Sequence, residues 1–383
     1  MNYKIMTNEP LIENAVNQIE EMVKMFDKER TVVMPDYHAG KGSVVGTTMH
    51  IDGRVNPNIV GVDIGCGILA YDISESDVEY DKIDAFIRSE IPTGHRVHKE
   101  QAHDINILDE FIAPIDKDRA EKSLGTLGGG NHFIEIGERE YTKKKCIFIH
   151  TGSRKLGVEV CKFYEKVAIN NKGIEFEKRK FDILGSKDKT TINKQLKELS
   201  IEFRRKEKEM PVLDGEAFES YIHDMKLATE YARLNREYIL KTILGFLGLE
   251  FEERRVIDTK HNYIGEDNIL RKGAISAYEG EVVVIPLNMK EGVALCVGKG
   301  NPEWNYSAPH GCGRYYSRSE AKKRISLEEF ENSMKNIATS SVVESTIDEA
   351  PMAYKDSNAV LEKASETVQL LDIFKTVYNF KDK

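Results

Sequence analysis

The stretch Asn58-Ile-Val-Gly-Val-Asp-Ile-Gly-Cys-Gly67 combines an apolar run with three glycines, one carboxylate and one thiol. Its apolar residues predict a short buried strand formed by Ile59, Val60 and Val62. The glycines permit a sharp backbone path that would bring Asp63 and Cys66 to one point. A carboxylate and a thiol at one point predict a metal site, although Asp-x-x-Cys alone is more often a tight turn with a buried cysteine.

Four junctions elsewhere in the chain place a histidine at the end of an apolar run or beside glycines. These histidines are His132, His150, His261 and His310. Strand residues followed by glycine place a side chain at the carboxyl end of a strand, where ligand sites of α/β sheets are usually built. The sequence therefore predicts one site assembled from distant segments.

The other histidines are interpreted as structural residues, because a lone histidine after a strand is usually a hydrogen-bonded part of the framework. They are His38, His50, His95, His98, His103 and His223. Of these, His38 is nearest to a candidate, since it lies in Pro35-Asp-Tyr-His-Ala-Gly-Lys-Gly42.

Composition limits the class of protein. The 383 residues are 40% hydrophobic and carry a formal net charge of −9, which argues against a nucleic-acid partner unless basic residues are concentrated locally. Five cysteines without Cys-x-x-Cys spacing argue against a disulfide framework and leave Cys66 free as a thiolate. No apolar run is long enough to cross a membrane and the amino terminus is not signal-like, so a cytoplasmic protein without a membrane partner is expected.

The pattern predicts one catalytic domain over residues 1–383, interrupted by charged helices at about 161–249. Apolar residues recur there at helical spacing in two stripes. The stripes are Ile192, Leu196, Leu199 and Phe203, and Leu227, Tyr231, Leu234 and Tyr238. Farther on, a capping-box pattern at Ser326 and Glu329 predicts a helix that continues to Ile337. Because candidate site residues lie on both sides of the helices, the two parts of the chain must converge.

The candidate ligands indicate chemistry on phosphate. A thiolate, a carboxylate and several imidazoles suit a divalent ion, and from ligand types alone zinc is the first expectation. The set exceeds what one structural zinc needs, and a thiolate between two ligand groups could bridge two ions. The ligands also lie among glycine loops whose backbone N–H groups can bind phosphate. Metal together with phosphate predicts phosphoryl or nucleotidyl transfer.

Six motifs then occur in a fixed order. They are Pro35-Asp-Tyr-His-Ala-Gly-Lys-Gly, Val62-Asp-Ile-Gly-Cys-Gly, Gly129-Gly-Asn-His-Phe, His150-Thr-Gly-Ser-Arg, His261-Asn and His310-Gly-Cys-Gly-Arg. Together they resemble the RtcB family of GTP-dependent RNA-splicing ligases, from about residue 30 to the carboxyl terminus. The resemblance implies an α+β catalytic fold with mixed and antiparallel sheets, rather than a doubly wound Rossmann sheet.

The resemblance also implies a ligand set and a nucleophile. Two manganese ions would be held by Asp63, Cys66, His132, His150 and His261, with Cys66 contacting both, and manganese replaces the expectation of zinc. His310 matches the nucleophile that attacks the α-phosphate of GTP and forms a histidine–GMP intermediate. GMP would pass to an RNA 3′-phosphate, itself produced from a 2′,3′-cyclic phosphate, and a 5′-hydroxyl would then seal the strand.

The same resemblance implies contacts with GTP and with RNA. Guanylate contacts are expected at Asn131, His132, Phe133, Glu135, His261, Asn262, Pro286, Leu287, Asn288, Met289, Gly311, Gly313, Tyr354 and Lys381. Clamps for the RNA phosphate are expected at Arg154, Arg314 and Arg318. The chain departs from the common family pattern at Leu287, Asn288, Val293 and Cys312, and these positions bear on base selectivity.

The expected partner is RNA with broken ends, either tRNA or ribosomal RNA, and the sequence leaves open whether a protein partner activates the chain. Two other functions fit some of the same residues. A metal-dependent phosphoesterase would use the same ligands with water as nucleophile. A non-enzymatic RNA-end-binding protein would keep the arginines but would not need a complete metal set.

Overall fold

The computed structural model describes residues 3–24, 31–40, 42–100, 105–184, 191–206 and 210–383, with side chains omitted for 204–206. His103 lies outside these ranges. Within them, no helix is both long enough and apolar enough to span a bilayer.

The fold contains both helices and strands, numbered here in chain order. The strands are β1 Tyr3–Ile5, β2 Thr31–His38, β3 Val45–His50, β4 Gly67–Asp72, β5 Phe133–Arg139, β6 Lys145–Thr151, β7 Val256–Lys260, β8 Asn262–Ile264, β9 Ile269–Lys272, β10 Ala274–Ser276, β11 Val282–Asn288, β12 Gly292–Gly298, β13 Ser307–Pro309 and β14 Val368–Phe380. The helices are α1 Glu13–Val23, α2 Pro57–Val60, α3 Tyr80–Glu90, α4 Lys117–Ser123, α5 Arg154–Leu184, α6 Ile192–Lys206, α7 Gly215–Leu247, α8 Arg318–Arg324, α9 Leu327–Met334 and α10 Ser357–Ala364. A 3-10 helix at Glu344–Glu349 also contributes to the site.

Two sheets form the centre of the fold. The larger has seven strands in the order β11-β12-β14-β5-β6-β4-β7, and all its neighbours are antiparallel. The N–H of Val284 in edge strand β11 donates to Thr259 Oγ1 in the other edge strand, β7, at 3.2 Å. The two edges therefore lie close together, and the sheet curls toward closure. The smaller sheet has the order β1-β2-β3-β9-β8 and contains one parallel pair, β1 with β2. The predicted α+β class with mixed and antiparallel sheets is confirmed.

The prediction of a strand at Ile59–Val62 is wrong. Asn56 caps the short helix α2 by accepting a hydrogen bond from the Asn58 N–H at 2.8 Å, and Pro57 occupies its first turn. Val62 lies beyond the helix and is 36% exposed. A short apolar run fits a strand and a helical turn equally well, and the Asn-Pro pair before it decides for the helix.

Helix α7 is part of the central core. Its first half packs Tyr221, Met225 and Ala228 in the apolar cluster that also contains Ile59. Its second half packs Ile239 and Ile243 against residues of β5 and β6 in another cluster. The buried residues of α7 therefore differ from the stripe predicted at Leu227, Tyr231, Leu234 and Tyr238. Of these four residues, only Tyr231 is fully buried. The difference arises because the helix contacts other elements on more than one side.

Local capping signals also fix the start of α9. The Ser326 hydroxyl accepts from the Glu329 N–H, and the Glu329 side chain accepts from the Ser326 N–H, which confirms the predicted capping box. The helix ends at Met334, however, and the predicted continuation to Ile337 is wrong.

One buried ion pair attaches α7 to the sheet beside the stretch that contains Asp63 and Cys66. The Arg236 guanidinium, which is fully buried, donates to both carboxylate oxygens of Asp258 at 2.6 and 2.8 Å. It also donates to the carbonyls of Gly65 and Thr151, each at 2.9 Å. One side chain therefore connects α7 with β7, with the end of β6 and with the turn before β4.

We expect the Arg236→Ala substitution to lower the free energy of unfolding by about 3–5 kcal/mol, because it leaves the Asp258 carboxylate without its buried partner. The matched control is Arg233→Ala on the same helix, whose partly exposed pairs with Glu230 and Glu237 contribute about 1 kcal/mol or less. Denaturant unfolding of both variants measures the difference. Equal losses of stability would contradict the role given to Arg236.

Candidate active site

Two groups of side chains that could hold a metal ion share one sulfur. Cys66, His150 and His261 form the first group, and Asp63, Cys66 and His132 form the second. Within each group the ligand atoms lie within 4.8 Å of one another. Four segments that are far apart in sequence therefore meet at the Cys66 thiol.

The individual distances show how tightly these atoms converge. Cys66 Sγ lies 3.3 Å from His150 Nε2 and 3.5 Å from His132 Nε2. His132 Nε2 lies 3.0 Å from Asp63 Oδ2, and the Nε2 atoms of His150 and His261 are 3.1 Å apart. Two protonated imidazoles would repel each other at that separation, whereas two neutral imidazole nitrogens can bind the same cation.

The electrostatics of the buried histidines favour ligation. Burial lowers the pKa of His150 and of His261 well below the ordinary value, and neighbouring imidazoles lower both further. Both rings are therefore neutral at neutral pH, which is the form that binds metals.

The carboxylate and the thiol of the site respond to burial differently. Burial would raise the pKa of the Asp63 carboxyl, but the charge and the hydrogen bond of His132 outweigh it, and the net pKa is lowered. Burial and the Asp63 charge raise the pKa of the Cys66 thiol well above its ordinary value. A divalent ion reverses this second effect, since a coordinating thiol is deprotonated. The mixed nitrogen, oxygen and sulfur donor set fits divalent transition metals.

Local geometry explains how the chain positions these ligands. His261 N–H donates to the Cys66 carbonyl at 2.8 Å, which joins the start of β8 to the Cys66 turn. His132 Nδ1 lies 2.9 Å from the Leu127 carbonyl, so its Nε2 is directed toward Asp63 and Cys66. Gly152 allows the approach of Asp63, because a methyl group at position 152 would lie 2.1 Å from Asp63 Oδ1.

The predicted placement of the histidines at the carboxyl ends of strands is partly wrong. His150 lies near the end of β6, His261 follows β7 and His310 follows β13. His132, in contrast, immediately precedes β5. The sheet is antiparallel, so the start of β5 and the end of β6 lie at the same edge, where Phe133 pairs with His150.

His310 lies next to this cluster and is held by a buried carboxylate. Its Nδ1 is 2.6 Å from Asp36 Oδ2, and the Asp36 side chain is fully buried. Its ring centroid lies 4.7 Å from that of His261. An ionised carboxylate only accepts hydrogen bonds, so Nδ1 is the ring nitrogen that donates to Asp36, and Nε2 is left free of this contact.

A cavity of about 720 Å³ opens from the ligand cluster. Almost all of the predicted cofactor contacts line it. They are Asn131, Phe133, Glu135, His261, Asn262, Pro286, Leu287, Asn288, Met289, Gly311, Gly313, Tyr354 and Lys381. The cavity also takes in Asp63, Cys66, His150 and His310, together with Arg314 and Arg318. His132 is buried beside Asp63 and does not line the cavity.

A buried carboxylate organises one wall of the cavity. Glu349 accepts from Lys381 Nζ at 2.9 Å, from the Tyr354 hydroxyl at 2.7 Å and from Arg318 Nη1 at 2.5 Å. Arg314 Nη1 lies 3.3 Å from the same carboxylate. Burial would raise the pKa of Glu349, but Lys381 and the two arginines lower it to about 2. Two of the three predicted phosphate clamps are therefore already anchored by protein carboxylates.

The third predicted clamp, Arg154, does not line the cavity. Its guanidinium donates to the Gly94 carbonyl at 2.9 Å and to Thr126 Oγ1 at 3.3 Å, and Nη1 lies 3.4 Å from His132 Nδ1. It occupies the space above Gly128, where a methyl group would collide with it at 1.9 Å. In this structure Arg154 supports the loop that carries His132.

Polar side chains of the predicted nucleotide contacts are also engaged within the protein. Burial raises the pKa of Glu135 to about 8, although hydrogen bonds from Asn379 and Thr376 lower it. Asn262 donates to the Asp63 carbonyl at 3.0 Å and accepts from the Gly273 N–H at 2.9 Å. The Asn288 side chain accepts from the N–H groups of Lys290 and Glu291, which shapes the turn after β11.

The family model described as "tRNA-splicing ligase RtcB" matches residues 18–115 and 108–382. The chain belongs to the RtcB family. Among curated members, it is 29% identical to "RNA-splicing ligase RtcB" of Escherichia coli K12, over 97% of each chain. It is 26% identical to "tRNA-splicing ligase RtcB" of Aeropyrum pernix, over 87% of this chain and 84% of that protein. The resemblance inferred from the six motifs is confirmed.

Sequence reasoning missed two residues of this RtcB-family site. The motif that contains Asp36 does not single it out, although an acidic residue in a strand whose neighbours are buried indicates a partner. Glu349 lies in a short 3-10 helix, and no periodicity or motif distinguishes it. His38, interpreted as structural, lines the cavity, and its Nδ1 lies 3.1 Å from the Asp36 carbonyl.

We expect Gly152→Ala to weaken the binding of a divalent transition metal at least about tenfold, because the new methyl group displaces the Asp63 carboxylate. The matched control is Gly173→Ala, since a methyl group there meets nothing within 4 Å. Isothermal calorimetry with Mn²⁺ on both variants measures the effect. Unchanged affinity in Gly152→Ala would show that Asp63 is not a ligand.

Proposed function

We propose that this chain is a GTP-dependent RNA ligase that joins 3′-phosphate or 2′,3′-cyclic phosphate ends to 5′-hydroxyl ends. The reaction proceeds through a guanylate bound to His310. Membership of the RtcB family supports ligation of RNA, and relatives in bacteria and archaea are named RNA-splicing or tRNA-splicing ligases.

One observation carries the proposal. A histidine whose Nδ1 is fixed by a buried carboxylate lies beside two metal-ligand groups that share a thiol, and all of them border one cavity. A structural metal site does not need an oriented imidazole at its edge. A volume of about 720 Å³ is within the range of small-molecule sites and can hold a nucleotide.

Two Mn²⁺ ions are proposed at the shared site. Cys66, His150 and His261 would hold one, and Asp63, Cys66 and His132 would hold the other. When bound, such ions offset the negative charge of phosphate and so favour attack by a nucleophile. The protein contributes imidazoles and a carboxylate at fixed positions, so little reorganisation is needed for binding.

His310 is proposed as the nucleophile of the first step. Because Asp36 holds the proton on Nδ1, the lone pair on Nε2 can attack the α-phosphorus of GTP. The Nε2–P bond forms, the bond from phosphorus to the β-bridging oxygen breaks, and pyrophosphate leaves with the electron pair. The Asp36 carboxylate stabilises the positive charge that develops on the ring.

The later steps transfer GMP and seal the strand. An oxygen of the RNA 3′-phosphate attacks the bound guanylate, the Nε2–P bond breaks, and His310 returns to its neutral form. The 5′-hydroxyl oxygen then attacks the activated RNA phosphorus and gives up its proton, and GMP leaves as the 3′–5′ bond forms. A 2′,3′-cyclic phosphate requires prior opening by water.

The wall around Glu349 is proposed to bind the guanine base and its sugar phosphate. Tyr354 and Lys381 present an aromatic ring and an ammonium group at this wall, and Phe133 lies under the Lys381 ammonium at 5.6 Å. Broken tRNA or ribosomal RNA is the proposed substrate class, with Arg314 and Arg318 nearest to the RNA phosphate. A protein that activates the ligase is a further proposed partner.

Incubation with Mn²⁺ and α-labelled GTP tests the proposal directly. We expect a labelled protein adduct that is labile in acid and stable in alkali, as is typical of a phosphoramidate, and that is absent in His310→Ala. A 3′-phosphorylated RNA and a 5′-hydroxyl RNA should then be joined. Hydrolysis of the 3′-phosphate without any adduct would establish the phosphoesterase alternative, and RNA binding without either reaction would establish the end-binding alternative.

We expect Asp36→Asn to slow formation of the adduct at least about a hundredfold, because an amide cannot fix the tautomer and charge of His310 as a carboxylate does. The matched control is Asp52→Asn at an exposed turn after β3, which should guanylylate at the normal rate. Single-turnover labelling of the two variants gives the comparison. A normal rate in Asp36→Asn would remove the positioning role from Asp36.

A further inference from the structure

Basic residues are concentrated beside the nucleophile. The segment Arg314–Arg324 contains five arginines and lysines and one acidic residue, in a chain whose formal net charge is −9. Three of these cations are partly neutralised, because Arg314, Arg318 and Lys322 pair with Glu349 or Asp348. Lys323 and Arg324 are exposed and form no ion pair with a carboxylate in the described part of the chain. Positive charge therefore remains at the outer end of α8.

Two adjacent tyrosines accompany these cations. Tyr315 lines the cavity that contains His310, yet it is 68% exposed. Tyr316 is half-buried beneath the Arg324 guanidinium, which lies 5.2 Å from its ring centroid. The two tyrosine rings meet edge to face with centroids 4.9 Å apart. Because Tyr315 borders the reaction cavity, its exposed ring lies where a bound substrate can cover it.

The backbone holds Tyr315 in place. The N–H groups of Tyr315 and Tyr316 both donate to the Ala353 carbonyl, at 2.9 and 3.2 Å, and Arg314 pairs with Tyr354 in an isolated β-bridge. The exposed ring is therefore presented from a fixed segment. Fixed aromatic rings beside a track of cations are the arrangement with which proteins bind single-stranded nucleic acid.

We propose that Tyr315 is a stacking platform for one of the two bases next to the broken RNA end, and that Lys323 and Arg324 bind the phosphates that follow it. This inference rests on the proposed function for the identity of the substrate. Stacking is tolerant of sequence because every base has a π face, so the platform would hold a broken end without selecting its base. The Tyr315 ring would therefore help to position the end of the RNA strand in the cavity.

The test measures binding of a fluorescent ten-nucleotide RNA with a 3′-phosphate by anisotropy, without GTP, to the full chain. We expect Tyr315→Ala to weaken binding roughly tenfold and Tyr315→Phe to leave it within about twofold. The matched control is Tyr141→Ala, a 91% exposed tyrosine in the turn between β5 and β6, which should bind normally. In the double variant Lys323→Gln with Arg324→Gln, the slope of log K against log salt concentration should become shallower by about 1.4, because two phosphate contacts with a single strand are lost.

Oligonucleotides that lack a base separate stacking from general loss of structure. With the last two bases removed, wild type and Tyr315→Ala should bind equally, because the platform then has nothing to stack on. A tenfold difference that persists with the abasic RNA, or no difference with the intact RNA, overturns the inference. Labelling with α-labelled GTP in parallel separates the stacking platform from the proposed ligase function. If the wild type forms the adduct but RNA binding is unchanged in Tyr315→Ala, only the platform is overturned.

Discussion

The shared contact of two ligand groups with one buried sulfur constrains most of this structure. The Cys66 thiol can lie between His132 and His150 only if the turn before β4, the start of β5 and the end of β6 meet at one edge of the seven-stranded sheet. His261 completes the arrangement from the junction of β7 and β8. Antiparallel pairing achieves this, because neighbouring strands then begin and end at the same edge. Helix α7 stabilises this arrangement, because its buried Arg236 guanidinium donates to the carbonyls of Gly65 and Thr151 and to the Asp258 carboxylate.

A second constraint is electrostatic. The cavity concentrates cations and carboxylates in a buried space, and the buried carboxylates of Asp36 and Glu349 each have nitrogen partners. Asp36 pairs with His310, and Glu349 pairs with Lys381 and two arginines. Such pairs contribute little net stability, since desolvation offsets much of their attraction. Their value lies in orientation: they fix the tautomer of His310 and hold long flexible side chains at the wall where a nucleotide is proposed to bind.

The sequence predicted the site better than it predicted the local backbone. The residues of the candidate site could be singled out because each bears distinctive chemistry beside glycines, and their order along the chain matched one family. The strand predicted at Ile59–Val62 failed because three apolar residues carry no reliable period, while the Asn56–Pro57 start signal lay just outside the stretch. The buried stripe of α7 was misjudged because tertiary contacts on several sides override a simple amphipathic pattern. Glu349 could not be found at all, since its role arises only when residues 314, 318, 354 and 381 converge on it.

The central claim is that Cys66 serves two metal ions at once. Counting bound Mn²⁺ per chain by calorimetry and elemental analysis, in wild type and in Cys66→Ala, tests it most directly, with circular dichroism to confirm that the variant remains folded. The account predicts two ions per chain in wild type and the loss of tight binding at both positions in the folded variant. One ion per chain in wild type, or a Cys66→Ala protein that retains either ion at normal affinity, would contradict it.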